Sequence, residues 1–387
     1  MKNKDLAYAM TPLKILSWPI GTWPLQEYNA FSFARFGFTT SVLFLSLLVT
    51  NAEFVCTRGS DPDKDMYAVM LLVCNILALS KITYFRVHSA KLIFNFVSAV
   101  KDYNELDNEK KRAIMRQHAR MSRLTFVGLM SSATVCSAFL TFLPVLKRNE
   151  NSINMTFSEL LKYPIPSEQV ITSLELPEYL YLLIFTMEFM TLPLISAGNL
   201  GSDILFFGIV FHVCGQAEIL KMEYNQVTDG STEKFHALIK RHGYLLKLTE
   251  MLNDAVSSVL AIQLLSSCIL ICACDMQFLL IQQDGNIASV ARTAITMIIL
   301  MIQLFAYSYV GNYLKCQMAG VGYSLYSCTW YNFSTNVAKE IIFVILRAQK
   351  PAHLVAGKFT VVNLETFTSI LKTSMSCLSV ARVMMSR

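Results

Sequence analysis

An all-α integral membrane protein with seven spans is the fold class the sequence predicts, on three observations. Of its 387 residues, 54% are hydrophobic and 16% are charged, whereas soluble domains carry about 25% charged residues. The apolar residues gather into stretches of about 20, the length that crosses a hydrocarbon core about 30 Å thick. Between those stretches, Lys and Arg are abundant in every second loop and sparse in the others. So few polar side chains cannot cover a soluble core of this size, and lipid must solvate much of the surface.

Residues 1–32 form an N-terminal arm. Pro12, Pro19 and Pro24 punctuate it and no sustained apolar h-region occurs, so the first span is expected to act as its own insertion signal. That span runs from about Phe33 to Val55 and is broken by Asp61, Asp63, Lys64 and Asp65. The second covers Met66 to Phe85 and the third Leu124 to Leu146. A fourth stretch begins after Pro177 and stays apolar to Val213. It is too long for one upright span, so it must tilt, bend or project beyond the bilayer. Pro193 and Gly198-Asn199-Leu200-Gly201 read as an interruption within it. Spans five and six fall near Ala255–Ile281 and Ile287–Tyr313. On this reading residues 33–313 hold the first six spans, residues 314–358 a cytosolic segment and residues 359–387 the seventh span.

Loop charge sets the orientation, because Lys and Arg in short loops are retained on the cytosolic side. The arm and the loops after spans two, four and six hold 22 Lys and Arg, and the opposite loops hold five. The N-terminus is therefore cytosolic and the C-terminus extracellular. A G-protein-coupled receptor has the opposite orientation. The inner end of span three, Ala119-Arg120-Met121-Ser122-Arg123, also lacks an acidic-Arg-aromatic triplet, and the last span lacks an Asn-Pro-x-x-Tyr turn. The net charge of +6 is the Lys/Arg excess that topology requires, and implies no nucleic-acid partner. Lys110-Lys111-Arg112, set among Asp102, Glu105, Asp107 and Glu109, reads as a solvated helical extension of span two in preference to a lipid-head-group site.

No HExxH, GxSxG, P-loop or GxGxxG pattern occurs, so the sequence offers no enzyme chemistry and no cofactor site. The ten cysteines form no paired CxxC set, and no metal site is expected. Asn154-Met155-Thr156 is a glycosylation sequon in an outer loop. Within the spans Glu188 stands out, since an unpaired carboxylate is expensive in lipid. It is read either as a polar contact in a ligand cavity or as a hydrogen-bonded residue at a helix interface. Lys81 and Asp203 lie near inner ends and are expected to snorkel or face the cytosol.

In the cytosolic segment Val337, Ile341, Val344, Ile345 and Ala348 recur at helical spacing, with Lys339, Glu340, Arg347 and Lys350 on other faces. Such a stripe needs a partner, and self- or hetero-association would supply one; Pro351 ends the helix. On the last span Thr373, Ser376, Val380, Val383 and Met384 share one side. A face that is polar inward and apolar near the outer end suits either helix packing or a water-filled path closed by a hydrophobic constriction.

The C-terminal third also carries a family signature. Tyr326-Ser327-Cys328-Thr329-Trp330-Tyr331, then Ile345-Leu346-Arg347-Ala348-Gln349-Lys350-Pro351, then Ala356-Gly357-Lys358-Phe359 follow one another. Leu364-Glu365-Thr366-Phe367-Thr368-Ser369-Ile370-Leu371-Lys372 and Ser374-Met375-Ser376 come after them. This succession resembles the insect odorant receptor family, and Gly21-Thr22-Trp23-Pro24 looks like its opening motif. The long second-intracellular-loop insertion of the family's co-receptor is absent, and Ser376-Cys377 stands where many members have Ser-Tyr. The chain thus looks like a ligand-tuning subunit rather than the co-receptor.

The resemblance implies a subunit of an odorant-gated, non-selective cation channel, assembled with the co-receptor as a heterotetramer. It would sit in the plasma membrane of an olfactory sensory neuron dendrite, with a pore lined by the last helix. Odorants in the family bind between spans two, three, four and six in their outer halves. Here those halves hold Tyr67, Met70 and Cys74; Cys136 and Phe139; Tyr181, Phe185 and Glu188; and Thr296, Ile299, Leu300 and Gln303. This mixture of aromatic, sulfur-bearing and few polar groups suits a small, volatile or lipid-like ligand. The other readings are a metabotropic seven-helix chemoreceptor using a second messenger, and a transporter, which should show repeated halves with broken helices.

Overall fold

The computed structural model describes residues 4–59, 62–146, 165, 167–173, 177–227, 232–284 and 287–385. In chain order these form α1 (Lys4–Ser17), α2 (Ala30–Thr57), α3 (Pro62–Val87), α4 (Ser89–Asn104), α5 (Glu109–Leu146), α6 (Glu168–Ser173) and α7 (Glu178–Asn225). Then come α8 (Thr232–Asp284), α9 (Ile287–Tyr326), a 3-10 turn at Trp330–Asn332, α10 (Thr335–Ala348), the short strands β1 (Val355–Ala356) and β2 (Thr360–Val361), and α11 (Leu364–Met385). The seven apolar stretches lie in α2, α3, α5, α7, α8, α9 and α11, giving an all-α membrane protein with seven spans. Among the described residues α2, α3, α7, α8 and α9 are each long and apolar enough to cross a membrane unaided. The third apolar stretch occupies the later part of α5, after its basic cytosolic opening, and α11 is less apolar because Thr, Ser and Lys372 lie along its length.

The helices outrun the bilayer. α7 has 48 residues, α8 has 53 and α9 has 40, which at 1.5 Å per residue is about 60–80 Å. Segments that the sequence presents as cytosolic loops are therefore continuations of the spans. They meet in a polar layer where Lys111 Nζ reaches Glu223 Oε1 at 3.0 Å, Lys221 Nζ donates to Gln317 at 2.5 Å and Arg241 Nη2 donates to Gln216 at 2.5 Å. His118 Nε2 lies 3.1 Å from the Tyr313 hydroxyl in the same layer.

Four expectations are corrected. Lys110-Lys111-Arg112 does not extend span two: α3 ends at Val87, α4 is a separate helix, and the basic run opens α5. Lys111 there bridges Asp107 and Glu223. Span four is not interrupted, because α7 is continuous through Pro193 and Gly198–Gly201. Those glycines serve packing instead. A Cβ on Gly198 would meet Ile82 Cδ1 at 2.7 Å and Ala78 Cβ at 3.3 Å, so α3 and α7 touch backbone to side chain. The seventh helix begins at Leu364 rather than Phe359. Gly357 (φ 59°) and Lys358 (φ 68°) turn a hairpin first, as the central pair of a turn closed by Phe359 N donating to Ala356 O at 3.1 Å. Asn363 then caps α11 by accepting from Thr366 N at 2.9 Å.

The fourth correction concerns α10. Val337, Ile341 and Ala348 are buried, and Val344 and Ile345 are half-buried against the main core of the same chain. Gly322 on α9 admits Ala348 so closely that a Cβ there would lie 2.8 Å from the Ala348 methyl. The stripe expected to meet another subunit thus has an intramolecular partner, the inner extension of α9. The face of α10 left exposed carries Ile342, Phe343 and Leu346.

The N-terminal arm folds back into the bundle. Leu13 of α1 packs on Gly208 of α7, where a Cβ would fall 2.6 Å from its methyl carbon. Trp23 is buried edge-on against Phe96 at 5.5 Å, and Gly21 (φ 74°) offers its carbonyl to Arg86 Nη1 at 2.9 Å.

Candidate functional site

Residues of α3, α5, α7 and α9 line a cavity of about 150 Å³ in the outer half of the bundle. Leu270 of α8 closes its back. The lining is mainly apolar, with Met70, Leu71, Leu77, Leu129, Leu192, Ile195, Ile299 and Leu300 supplying most of the wall. Tyr67, Ser132, Ser137, Ser196, Asn199, Thr296 and Gln303 add hydrogen-bonding groups, and Cys74 and Cys136 add thiols. Several of these polar groups are already engaged. Thr296 Oγ1 donates to Arg292 O at 2.9 Å, and Asn199 Nδ2 donates to the Cys74 and Ile195 carbonyls at 3.2 and 3.1 Å. The Arg292 guanidinium lies over the Tyr67 ring, 4.7 Å from its centroid. An engineered apolar cavity of about this volume in another protein holds one benzene-sized molecule, which sets the ligand scale.

Eight of the residues expected at a ligand site line this one cavity: Tyr67, Met70, Cys74, Cys136, Thr296, Ile299, Leu300 and Gln303. Phe139 is half-buried outside it, Phe185 packs against Ile171, and Glu188 is buried on α7 away from the lining. The side chain of Tyr181 lies outside the described residues, as do Asn154 and the side chain of Met384. On α11, Thr373, Ser376, Val380 and Val383 all lie on its exposed face, whereas Ser374 turns inward and is buried.

Beneath the cavity lies a cluster that the sequence reading misplaced. Lys81 and Asp203 do not snorkel. Lys81 Nζ meets Asp203 Oδ1 at 2.5 Å, with side-chain exposures of 1% and 0%. The Tyr307 hydroxyl donates to the same oxygen, and Gln303 Nε2 donates to Asp203 Oδ2 at 2.8 Å. Tyr307 is also 3.4 Å from the ammonium. One carboxylate on α7 thus accepts from three donors on two other helices, α3 and α9, as a charge buried in the bilayer must. Gln303 belongs both to the cavity lining and to this cluster.

A second buried carboxylate also escaped the sequence reading. Glu53 of α2 accepts from the backbone N–H groups of Gln169 and Val170 at 3.0 and 2.8 Å. It thereby holds the first turn of α6 against the first span. A lone Glu near the outer end of an apolar stretch gives no sign of this task.

The model of the 7tm Odorant receptor family matches residues 61–375. Odorant receptor 10 of Aedes albopictus is 22% identical over 313 residues, covering 78% of this chain and 79% of that protein. Odorant receptor 13a of Drosophila melanogaster is 24% identical over 200 residues, covering 46% of this chain and 48% of the relative. Among solved structures, the insect olfactory receptor OR5 from Machilis hrabei in complex with eugenol superposes with a TM-score of 0.77 at 16% identity, over 98% of both chains.

Proposed function

The chain belongs to the seven-transmembrane odorant receptor family, and from that premise we propose that it is the ligand-tuning subunit of an odorant-gated, non-selective cation channel. Its relatives are receptors rather than enzymes, and it is a multi-pass membrane protein. The observation that carries the finer reading is the cavity, which draws spans two, three, four and six around a small, mostly apolar space with one polar floor. A single ring or a short branched chain fills about 150 Å³. Such a ligand is favoured there by the apolar surface it removes from water, about 25 cal/mol per Å².

The gating role rests on the family and on the exposed face of α11. In a tetramer with the co-receptor, Thr373, Ser376, Val380 and Val383 would line the conduction path, with the valines as its constriction. Ile342, Phe343 and Leu346 on the free face of α10 would join subunits in the cytosolic layer. The ligand shifts the closed–open equilibrium only by its difference in affinity for the two states. The plasma membrane of a sensory dendrite is the location this role requires.

The test is current recorded from cells expressing the chain with the co-receptor. Odorant-evoked current that persists under G-protein blockade supports the channel reading. Loss of all response under that blockade overturns it in favour of a second-messenger receptor.

A further inference from the structure

On the reading that the cavity holds the odorant, a ligand needs a way into it through the bundle. A second space, a cleft of about 330 Å³, lies between α5 and α7 beside the cavity. Its walls are two facing helical stripes. Ala133, Thr134, Ser137 and Ala138 recur on α5 at three-and-four spacing with Met130 beside them, and Phe189, Pro193, Ser196 and Ala197 stand opposite on α7. Three residues, Ala133, Ser137 and Ser196, line both the cleft and the inner cavity. The partition between the two spaces is therefore built of an alanine and two serines, among the smallest side chains available.

The cleft opens to the lipid-facing surface. Thr134, Ala138 and Pro193 are exposed, and their neighbours Val135 and Met190 are 62% and 59% exposed and apolar. The same two helices pack tightly nearer the cytosol. There a Cβ on Gly215 of α7 would sit 2.8 Å from the Met115 sulfur and 3.3 Å from the His118 ring of α5. α5 and α7 thus touch at the inner end and border a cleft lined largely by small residues at the level of the cavity. Small residues in membrane helices usually draw backbones together; here they border a space instead.

We propose that this cleft is the entry route for the ligand, and that an apolar odorant dissolved in the bilayer passes between α5 and α7 through the Ala133–Ser137–Ser196 partition. A route, unlike a binding contact, changes the barrier in both directions equally, so narrowing it alters rates and leaves affinity untouched.

Fast-application recordings from cells expressing the chain with the co-receptor test this. Thr134→Phe and Ala138→Phe place a ring in the cleft from exposed positions that do not line the cavity, and Val135→Phe puts the same ring on a neighbouring face as a control. The expected result is current onset and decay both slowed about threefold or more in the two cleft variants, with half-maximal concentration unchanged. The control should keep wild-type kinetics. Unaltered kinetics in both cleft variants, or a changed half-maximal concentration with unchanged kinetics, would overturn the route while leaving the receptor reading intact. No odorant response from the unmodified pair would overturn the receptor reading, and the route with it.

Discussion

The Lys81 ammonium lies 2.5 Å from the Asp203 carboxylate, and neither side chain reaches solvent. The two residues come from the second and fourth spans, and Gln303 and Tyr307 of the sixth complete their hydrogen bonding. A charge pair at this depth joins three of the four helices that enclose the cavity. It also gives that cavity a floor with a fixed orientation, because a single carboxylate organises every donor around it.

Removing one partner should cost far more than removing both. Lys81→Met leaves an uncompensated buried carboxylate, a loss of about 3–5 kcal/mol, and surface delivery should fall accordingly. The double variant Lys81→Met/Asp203→Leu should recover much of the thermal stability, measured on the co-receptor complex in detergent. A double variant as unstable as the single one would show that the pair does not act as a unit.

Filling the cavity should weaken sensing without abolishing assembly. Ile299→Trp adds a ring to a space of about 150 Å³, and odorant sensitivity should drop at least about tenfold, equivalent to 1.4 kcal/mol. Met70→Ala enlarges the same space and should shift the ligand profile towards bulkier compounds. Dose–response curves over a homologous ligand series read both effects.

Gly311 sits where α9 meets the residue that leads into α11, and a Cβ there would fall on the Val362 carbonyl oxygen. That oxygen is backbone and cannot swing aside. Gly311→Ala should therefore displace the entry to the seventh helix, at a cost of about 1–3 kcal/mol. The expected readout is a lowered melting temperature together with altered basal current.

Acidifying the cytosolic side should weaken the inner layer through His242, on the extension of α8 outside residues 255–281. Burial pushes its imidazole from 6.5 down to about 4, and the Arg347 guanidinium adds to the effect. Its folded value is depressed, so between about 4 and 6.5 the unfolded chain binds a proton that the folded chain does not. Its stabilising contribution is complete above 6.5 and is lost as pH falls through that window. Melting temperatures at pH 7.5 and pH 5 should differ less in His242→Gln than in wild type.

Phe343 is 72% exposed on α10. Phe343→Asp should leave the monomer fold intact and reduce co-purification with the co-receptor, whereas Val337→Asp, which strikes the buried stripe, should reduce expression itself. Equal expression and equal co-purification for both would remove α10 from the assembly surface.

The spans and their direction were legible because hydropathy and loop charge act through the solvent, and the solvent acts on each segment separately. The cavity was legible as a group, since helix depth alone brings Tyr67, Met70, Cys136 and Leu300 to one level. Pairings were not. Lys81 and Asp203 stand 122 residues apart, each near the end of an apolar stretch, where a charge is ordinarily taken to reach water. The stripe on α10 was identified correctly as a buried face and assigned the wrong partner. Periodicity states that a face is covered, and only the continuation of α9 beyond Tyr313 shows by what. Pro193 and Gly198 carry the residue types of a helix break, yet the surrounding apolar length and the fit of Gly198 against Ile82 keep α7 whole.

That unbroken α7 has a mechanical consequence. Continuous from Glu178 to Asn225, it can carry a push along its length as a lever, and its tight seat against Met115 and His118 at Gly215 is the natural fulcrum. From Gly215 to Ser196 the arm is about 28 Å, and to the cytosolic end at Asn225 about 15 Å, at 1.5 Å per residue. A swing of about 2 Å where ligand and cleft meet would appear as about 1 Å in the opposite direction among Lys111, Glu223 and Arg241, by the same ratio.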